Sequence, residues 1–119
     1  MKLILGSASP RRLELLTQAK VIVDRVEPAN IDETPIKREL PLEYCKRMAT
    51  EKARTLCLSN GEILLTADTT VSVGKRILGK PKNIEEAEVF LTLLSGRRHK
   101  VITAVAARTT TGLRVKSVV

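Results

Sequence analysis

Aromatic residues are scarce in this sequence: its 119 residues include one Tyr, one Phe and no Trp. Recognition surfaces rich in Trp or Tyr are therefore excluded, and Leu, Ile, Val and Ala must supply almost the whole core. Proteins that read single-stranded nucleic acids usually stack the bases on aromatic rings, for which only Tyr44 and Phe90 are available. This scarcity favours a small phosphorylated ligand over a nucleic acid.

Long apolar runs are also missing. No run approaches the ~20 residues that a membrane span requires, and residues 1–7 lead into a strand pattern without a signal-peptide cleavage region. We therefore expect a cytoplasmic protein without a membrane partner. One histidine, His99, and two cysteines, Cys45 and Cys57, are too few ligands for a zinc site. Helical spacing separates the cysteines too widely for a disulfide. We expect both to be ordinary buried or half-buried thiols.

Negative charge is in the minority, since 13 acidic residues face 21 Lys and Arg, a formal net charge of +8. Such a field attracts anions and speeds their encounter with the protein. The charge alone does not separate a nucleotide from a nucleic acid. A chain of this length is expected to form one compact domain, residues 1–119.

Strand and helix patterns alternate along the chain, and their order predicts an α/β domain. Strands are expected at 2–6, 21–26, 63–66, 71–73, 76–78, 100–108 and 113–119, and helices at 10–20 and from 41 to the turn at 59–61. A last helix is expected to be capped by Asn83, with Glu86 completing a capping box, and to be stopped by Gly96. The longest irregular stretch is the loop at 28–41. The second helix is expected to bury a stripe of Leu42, Cys45, Ala49, Ala53 and Leu56. The first and last helices are expected to bury Leu13, Leu15, Leu16, Ile84, Ala87, Leu91 and Leu94.

A candidate phosphate cradle follows the first strand. After a turn at Ser7, Ser9 is expected as the N-cap of a helix and Pro10 as its first residue. Arg11 and Arg12 then lie in the first turn, where they oppose the helix dipole unless an anion binds. Backbone N–H groups, hydroxyls and guanidinium groups can converge there on anionic oxygens. The alternative is a plain N-cap with solvated arginines.

A carboxylate, Asp68, follows the aliphatic run at 63–66 and is expected at a strand end. Open α/β sheets bind ligands at such ends. The Asp can bind a divalent cation or orient an attacking water, and the hydroxyls of Thr69 and Thr70 can fix a base or a phosphate. The alternative is an Asx-turn that opens the following hairpin.

Other polar residues are weaker candidates. Glu33 lies in the long loop, Lys52 lies beside Glu51 on the second helix, and Lys80 lies in a Gly-Lys-Pro turn. Their plain alternatives are a solvated loop acid, a surface charge pair and a turn lysine. The two Gly-Lys pairs, Gly74-Lys75 and Gly79-Lys80, lack the glycine spacing and the following Ser or Thr of a Walker motif.

Taken in order, six motifs resemble the Maf family of nucleoside triphosphate pyrophosphatases, over residues 3 to about 106. They are Ser7-Ala8-Ser9-Pro10-Arg11-Arg12, the Asp32-Glu33 loop, Ala49-Thr50-Glu51-Lys52-Ala53, Ala67-Asp68-Thr69, Gly79-Lys80-Pro81, and Leu94-Ser95-Gly96 followed by His99-Lys100-Val101-Ile102-Thr103. The ordered set is far more specific than any one motif.

The resemblance implies an elongated α/β domain with a central mixed β-sheet flanked by helices. It also implies hydrolysis of a nucleoside triphosphate to the monophosphate and pyrophosphate, with a divalent cation, usually Mg²⁺ or Mn²⁺. Asp68 matches the family's catalytic proton acceptor, and from charge placement we expect Asp68 and Glu33 to hold the metal or activate the water. The substrate-binding positions of the family match Ser7, Arg11, Arg12, Lys52, Thr69 and Lys80.

The Ala-Asp-Thr motif resembles the branch of the family that acts on dTTP and UTP, with Thr69 as the expected specificity residue. Family members continue well past this length, so we expect an N-terminal portion of the family fold, with apolar sheet surface left uncovered. Family members are often dimeric, and a homodimer stays open. Two other functions stay open as alternatives: a fragment that only binds nucleotide, and a basic module that binds nucleic-acid backbones.

Overall fold

The computed structural model describes residues 2–79, 83–95 and 99–119. Within these ranges the elements are β1 (Lys2–Leu5), α1 (Pro10–Gln18), β2 (Arg25–Val26), α2 (Pro41–Ala53), β3 (Glu62–Val73), β4 (Arg76–Leu78), α3 (Ile84–Leu94), β5 (Lys100–Arg108) and β6 (Leu113–Val118). The predicted α/β order is confirmed. None of the described helices is long and apolar enough to cross a membrane.

The described strands form one mixed sheet in the order β2-β1-β3-β5-β6, and β4 pairs with β3 beside this path. Strand β1 runs parallel to β2 and β3, whereas β5 runs antiparallel to β3 and β6. The predicted hairpin is confirmed by the antiparallel pairing of β3 with β4, which starts at Val73 and Arg76. The molecule measures 47 × 30 × 25 Å along its principal axes, which fits the elongated shape that was expected.

Helix α2 packs across one face of the sheet. Its buried side presents Cys45, Ala49 and Ala53 to β3 and β5. The residues of the strands in the same core cluster are Ile4, Leu64, Ile102, Ala104 and Ala106. Small residues on both sides let the helix approach closely, and the Thr66 hydroxyl donates a buried 2.7 Å hydrogen bond to the Ala49 carbonyl. The predicted buried stripe of α2 is confirmed at these three helix positions.

Strand β3 is one continuous strand of 12 residues, where the sequence predicted a short strand at 63–66 and a separate hairpin strand. Strand β5 pairs with it without interruption from Leu64 to Ser72. Asp68 lies opposite Ala104 in the middle of this ladder. The prediction that Asp68 lies at a strand end is therefore wrong, because local sequence does not reveal a pairing partner so much later in the chain.

Strand β2 is two residues long, although 21–26 was predicted as a strand. Helix α1 ends at Gln18 and is closed two residues later by the left-handed residue Lys20, whose φ is 60°. The N–H of Val21 then donates to the Leu16 carbonyl at 2.9 Å, which is the long hydrogen bond of a Schellman ending. Because the N–H of Val21 is used to close the helix, the β-branched run that starts at Val21 begins outside the sheet.

Helix α2 ends at Ala53, earlier than the predicted end at the turn of 59–61. Arg108 of β5 donates from Nη1 to the carbonyls of Ala53, at 2.6 Å, and Leu56, at 2.7 Å. Carbonyls at a helix C-terminus lack partners within the helix. A side chain from a distant strand supplies these partners here, so further helical turns are not needed.

Helices α1 and α3 bury much less than predicted, since neither has a buried residue. Leu15 of α1 is 58% exposed, and Ile84 and Leu91 of α3 are 79% and 68% exposed. The predicted inner stripes are wrong at these positions, because apolar spacing identifies a helix but not whether anything covers it. The predicted start of α3 is confirmed, since the Asn83 side chain accepts a hydrogen bond from the N–H of Glu86.

The two cysteines differ in exposure. Cys45 is buried, as predicted, whereas Cys57 is exposed. The prediction for Cys57 assumed that α2 continues through it, and the helix ends before it.

Strands β5 and β6 carry exposed valines on the face turned away from α2. Val101, Val105 and Val118 are 49%, 37% and 72% exposed. Uncovered apolar sheet surface was expected, and it is confirmed at these positions.

Gly6 follows β1 at a point of close contact with β3. A Cβ added there would lie 2.8 Å from Thr66 Cγ2 and 3.1 Å from Leu64 Cδ1. Because both neighbours belong to the buried side of β3, they have little room to move.

We expect Gly6→Ala to lower the free energy of unfolding by about 1–3 kcal/mol, the usual cost of overpacking. Gly112→Ala is the matched control, because no heavy atom lies within 4 Å of the Cβ it would add. Urea unfolding of both variants measures the difference. Equal midpoints for the two variants would contradict the steric explanation.

Candidate active site

Asp68 lies on the face of β3 that α2 covers, because alternate residues of a strand share a face. Its side chain is 13% exposed. The Oδ2 atom accepts a 2.8 Å hydrogen bond from Thr70 Oγ1, and Oδ1 accepts a 3.3 Å hydrogen bond from Lys52 Nζ. The carboxylate is thus oriented by its own strand and by the helix.

Lys52 joins two carboxylates that are distant in sequence. Its Nζ lies 3.3 Å from Asp68 Oδ1 and 3.5 Å from Glu33 Oε1. The side chains of Lys52 and Asp68 are each 13% exposed, whereas that of Glu33 is 55% exposed. Three residues that the sequence predicted for the site therefore lie together; we call Glu33, Lys52 and Asp68 the Lys52 cluster.

Cys45 supports the backbone beneath Asp68. Its Sγ donates to the Asp68 carbonyl at 3.3 Å and to the Ile102 carbonyl at 3.4 Å. Burial raises the pKa of this thiol, so it stays protonated and keeps its proton for these contacts. The sulfur joins α2 to β3 and β5 directly under the cluster.

A cavity of about 700 Å³ opens beside the Lys52 cluster, a size typical of small-molecule sites. Its walls include three carboxylates, those of Glu33, Asp68 and Glu86. The only Tyr and the only Phe of the chain, Tyr44 and Phe90, also line it. The cavity therefore combines an acidic wall with the two rings on which a nucleobase could stack.

Tyr44 connects this cavity to the long loop, because its hydroxyl donates a 2.6 Å hydrogen bond to the Glu33 carbonyl. Burial, followed by the negative charges of Asp68 and Glu33, raises the pKa of Tyr44 to about 12. The hydroxyl is therefore protonated at neutral pH and available as a donor.

The predicted phosphate cradle forms a second polar group at the start of α1. The Oγ of Ser7 accepts hydrogen bonds from Arg12 Nη1, at 3.2 Å, and from the N–H of Ser9, at 3.1 Å. Arg11 is exposed, and the first turn contains no acidic residue. The expected conflict between two cations and the helix dipole is therefore present.

The cradle follows the end of β1, the strand beside β3. The parallel pairing of these two strands runs as far as Leu5 and Leu65. None of the cradle residues is among the cavity walls in the described part of the chain. The arginines are therefore not part of the acidic cavity wall.

Thr69 and Lys80 were also predicted to contact the substrate. Thr69 borders the cavity, but its side chain alternates with those of Asp68 and Thr70 and points to the other face of β3. Its Oγ1 there lies 3.3 Å from Thr103 Oγ1. The structure therefore does not bring the Thr69 hydroxyl into the Lys52 cluster. Lys80 lies outside the described residues.

Sequence reasoning missed two partners of the cluster, Thr70 for Asp68 and Tyr44 for Glu33. The spacing of two residues would have placed Thr70 beside Asp68 if β3 had been recognised as one strand. Tyr44 carried no local signal, because its partner lies eleven residues earlier in an irregular loop.

A comparison with protein families bears directly on these motifs. The family model described as Maf-like protein matches residues 2–119. The chain belongs to the Maf family. The resemblance of the six motifs is thereby confirmed.

Three curated relatives, each named dTTP/UTP pyrophosphatase, match this Maf-family chain closely. The relative from Roseobacter denitrificans is 55% identical over 116 residues, and the one from Ruegeria sp. is 53% identical over 119 residues. The relative from Cereibacter sphaeroides is 56% identical over 108 residues. The matches cover 98%, 100% and 91% of this chain but 62%, 62% and 56% of the relatives, so the chain spans only part of their length.

Solved structures of two more distant proteins share the fold. A nucleoside-triphosphatase / dITP/XTP pyrophosphatase from Mycobacterium abscessus matches with a TM-score of 0.54 at 20% identity, covering 98% of this chain and 69% of the other. A HAM1 protein from Coxiella burnetii matches with a TM-score of 0.55 at 14% identity and the same coverage. At these identities the likeness shows the fold alone.

We expect Tyr44, the only tyrosine of the chain, to ionise near pH 12 in the folded protein and near pH 10 in the unfolded chain. Because the folded state holds this proton more tightly, the contribution of Tyr44 to stability is complete below pH 10 and is lost as the pH rises toward 12. Ultraviolet difference absorbance follows the ionisation without interference from Trp.

The same titration tests the neighbours of Tyr44. Asp68→Asn should lower its pKa, because a nearby negative charge is removed, whereas Asp24→Asn should leave it unchanged. A pKa of about 10 in the unsubstituted protein would contradict the buried environment.

Proposed function

We propose that this protein hydrolyses nucleoside triphosphates between the α and β phosphates, with dTTP and UTP as its substrates. The observation that carries the proposal is the Lys52 cluster beside a cavity of about 700 Å³. Its support from relatives is that proteins 53–56% identical to this chain are named dTTP/UTP pyrophosphatases. The reaction consumes one water and releases a nucleoside monophosphate and pyrophosphate.

The triphosphate is bound by cations from both polar groups of the site. Arg11, Arg12 and Ser7 offer donors at the start of α1, where the free N–H groups of the helix also favour an anion. Lys52 and Lys80 complete the set. An anion placed at α1 relieves the repulsion between the arginines and the helix dipole, so binding gains from a conflict that exists in the free protein.

Asp68 orients the attacking water and accepts its proton. The hydrogen bonds from Thr70 and Lys52 hold the carboxylate in one direction, which is the geometric requirement for a general base. Since phosphoryl transfer depends mainly on positioning and charge, the other contacts act by alignment. Removing one well-aligned donor of this kind costs ~10²-fold or more in rate.

A divalent cation, Mg²⁺ or Mn²⁺, fits the donors of the Lys52 cluster. Glu33 and Asp68 already share one positive charge, that of Lys52, and among the described residues no group of three Asp, Glu, His or Cys side chains could hold a metal ion, so these two carboxylates would bind it with help from the substrate and water. Oxygen ligands from one or two carboxylates, completed by substrate phosphates and water, are the usual surroundings of Mg²⁺. Glu33 and Asp68 would hold the cation, which would neutralise the phosphate charge when bound.

We expect Asp68→Asn to lower pyrophosphate release by ~10²–10⁴-fold, the range for loss of a general base. The assay uses a panel of canonical and modified nucleoside triphosphates with Mg²⁺ or Mn²⁺. Asp24→Asn is the matched control, because Asp24 lies at the far end of β1 and an Asn oxygen can still accept the hydrogen bond from the N–H of Leu3. Unfolding curves of both variants check that the fold is retained.

Other outcomes would favour the alternatives. Full activity of Asp68→Asn would show that Asp68 does not accept the proton of the attacking water. Nucleotide binding without turnover in the unsubstituted chain would favour a fragment that only binds. Binding to DNA or RNA that weakens steeply with salt, with no preference for free nucleotides, would favour a basic nucleic-acid module. The cytoplasmic location and a homodimer stay predictions.

A further inference from the structure

The loop at residues 28–40 carries Glu33 but contains no helix or strand of its own. Most of its residues are exposed, and the Glu33 side chain is 55% exposed. A single contact of this carboxylate, the 3.5 Å pair with Lys52, is too long and too exposed to hold the loop in place. The position of Glu33 therefore depends on what holds the loop backbone.

Arg47 of α2 binds the end of this loop. Its Nε and Nη2 donate to the two carboxylate oxygens of Glu39 at 2.6 and 2.8 Å, a bidentate pair. The side chains of Glu39 and Arg47 are only 9% and 22% exposed. The hydrogen bonds from Arg47 also lower the pKa of Glu39, so this carboxylate is ionised at neutral pH. Glu39 in turn accepts a 3.0 Å hydrogen bond from the N–H of Ile36.

Two side chains of α2 also bind consecutive carbonyls of the loop. Tyr44 donates to the Glu33 carbonyl at 2.6 Å, and Arg47 Nη2 donates to the Thr34 carbonyl at 3.2 Å. Residues three apart are neighbours on a helix surface, and the Arg47 guanidinium lies over the Tyr44 ring, 5.6 Å from its centroid. The contact between them keeps both donors aimed at the same short stretch of backbone.

We propose that Tyr44, Arg47 and Glu39 are positioning residues that hold the loop so that the Glu33 carboxylate faces Lys52 and Asp68. The effect on catalysis rests on the proposed function. Arg47, Glu39 and the Tyr44 hydroxyl act through Glu33, whereas the Tyr44 ring lines the cavity, so the loss of these polar groups matters only while Glu33 is present. A displacement of about 1 Å at a reacting group can cost ~10²-fold in rate, which makes such a support necessary.

Hydrogen exchange tests the loop without any need for turnover. In Arg47→Met and Tyr44→Phe, we expect the exchange rates of the Thr34 and Ile36 amides to rise by about tenfold or more, the effect of losing a charged or buried hydrogen bond. Both amides are hydrogen bonded to side chains of the loop, those of Asp32 and Glu39. Lys46→Met is the matched control, since Lys46 lies on the same helix and, among the described residues, its side chain makes no hydrogen bond or ion pair.

A double-mutant cycle tests the route through Glu33. With dTTP and Mg²⁺, we expect Arg47→Met to lower kcat by about tenfold with a smaller change in KM. The same substitution should have almost no effect on kcat in the Glu33→Gln protein, because the group it positions has lost its charge. Tyr44→Phe, which keeps the ring, should follow the same pattern with a smaller effect.

The outcomes separate the two proposals. Unchanged exchange in the loop would overturn the positioning role, whatever the activity. Faster exchange with unchanged kcat, or losses that multiply with Glu33→Gln, would overturn it as well. If the unsubstituted chain releases no pyrophosphate from any triphosphate, the proposed function fails, and the exchange rates alone then decide whether these residues hold Glu33 in place.

Discussion

Close packing of α2 against the sheet is the constraint on which the site depends. Alanines on both sides, Ala49 and Ala53 on the helix and Ala104 and Ala106 on β5, let the helix lie close to the strands. Since protein interiors are packed as densely as crystals, the helix can sit in one place only. That placement brings the Cys45 sulfur to the carbonyl of Asp68. It also brings the longer side chains of α2 to the loop at 28–40 and to the carboxylates of the Lys52 cluster.

A second feature of the site is that the arginines of the cradle are kept apart from the carboxylates of the cavity. One ammonium, that of Lys52, serves both Glu33 and Asp68. If Arg11 and Arg12 reached these carboxylates, they would form ion pairs with them and have fewer donors free for phosphates. Among the described residues, no cradle residue lines the cavity. The positive charge of the cradle therefore stays available to an anion. The surplus of basic residues then attracts and binds an anion without neutralising the carboxylates of the cavity.

Local signals in the sequence predicted local structure well. The proline at the start of α2, the Asn83 cap and the apolar spacing of Cys45, Ala49 and Ala53 each act over a few residues, and each was interpreted correctly. The failures involve distant partners. The continuity of β3 through Asp68 depends on β5, and the true end of α2 depends on Arg108. The grouping of Glu33 with Lys52 and Asp68 was expected from the family resemblance and from charge placement, but its geometry needed the fold.

The ladder between β3 and β5 also has a consequence for synthesis on the ribosome. Asp68 pairs with Ala104, and α2 is closed by Arg108, so neither feature can form until β5 has been made. At about 5–20 residues per second, translation from Asp68 to Ala104 takes roughly 2–7 s. During that interval one edge of β3 and the part of α2 that packs on β5 have no partner in the nascent chain. Protection by the ribosome exit tunnel or a chaperone would therefore matter most in this window.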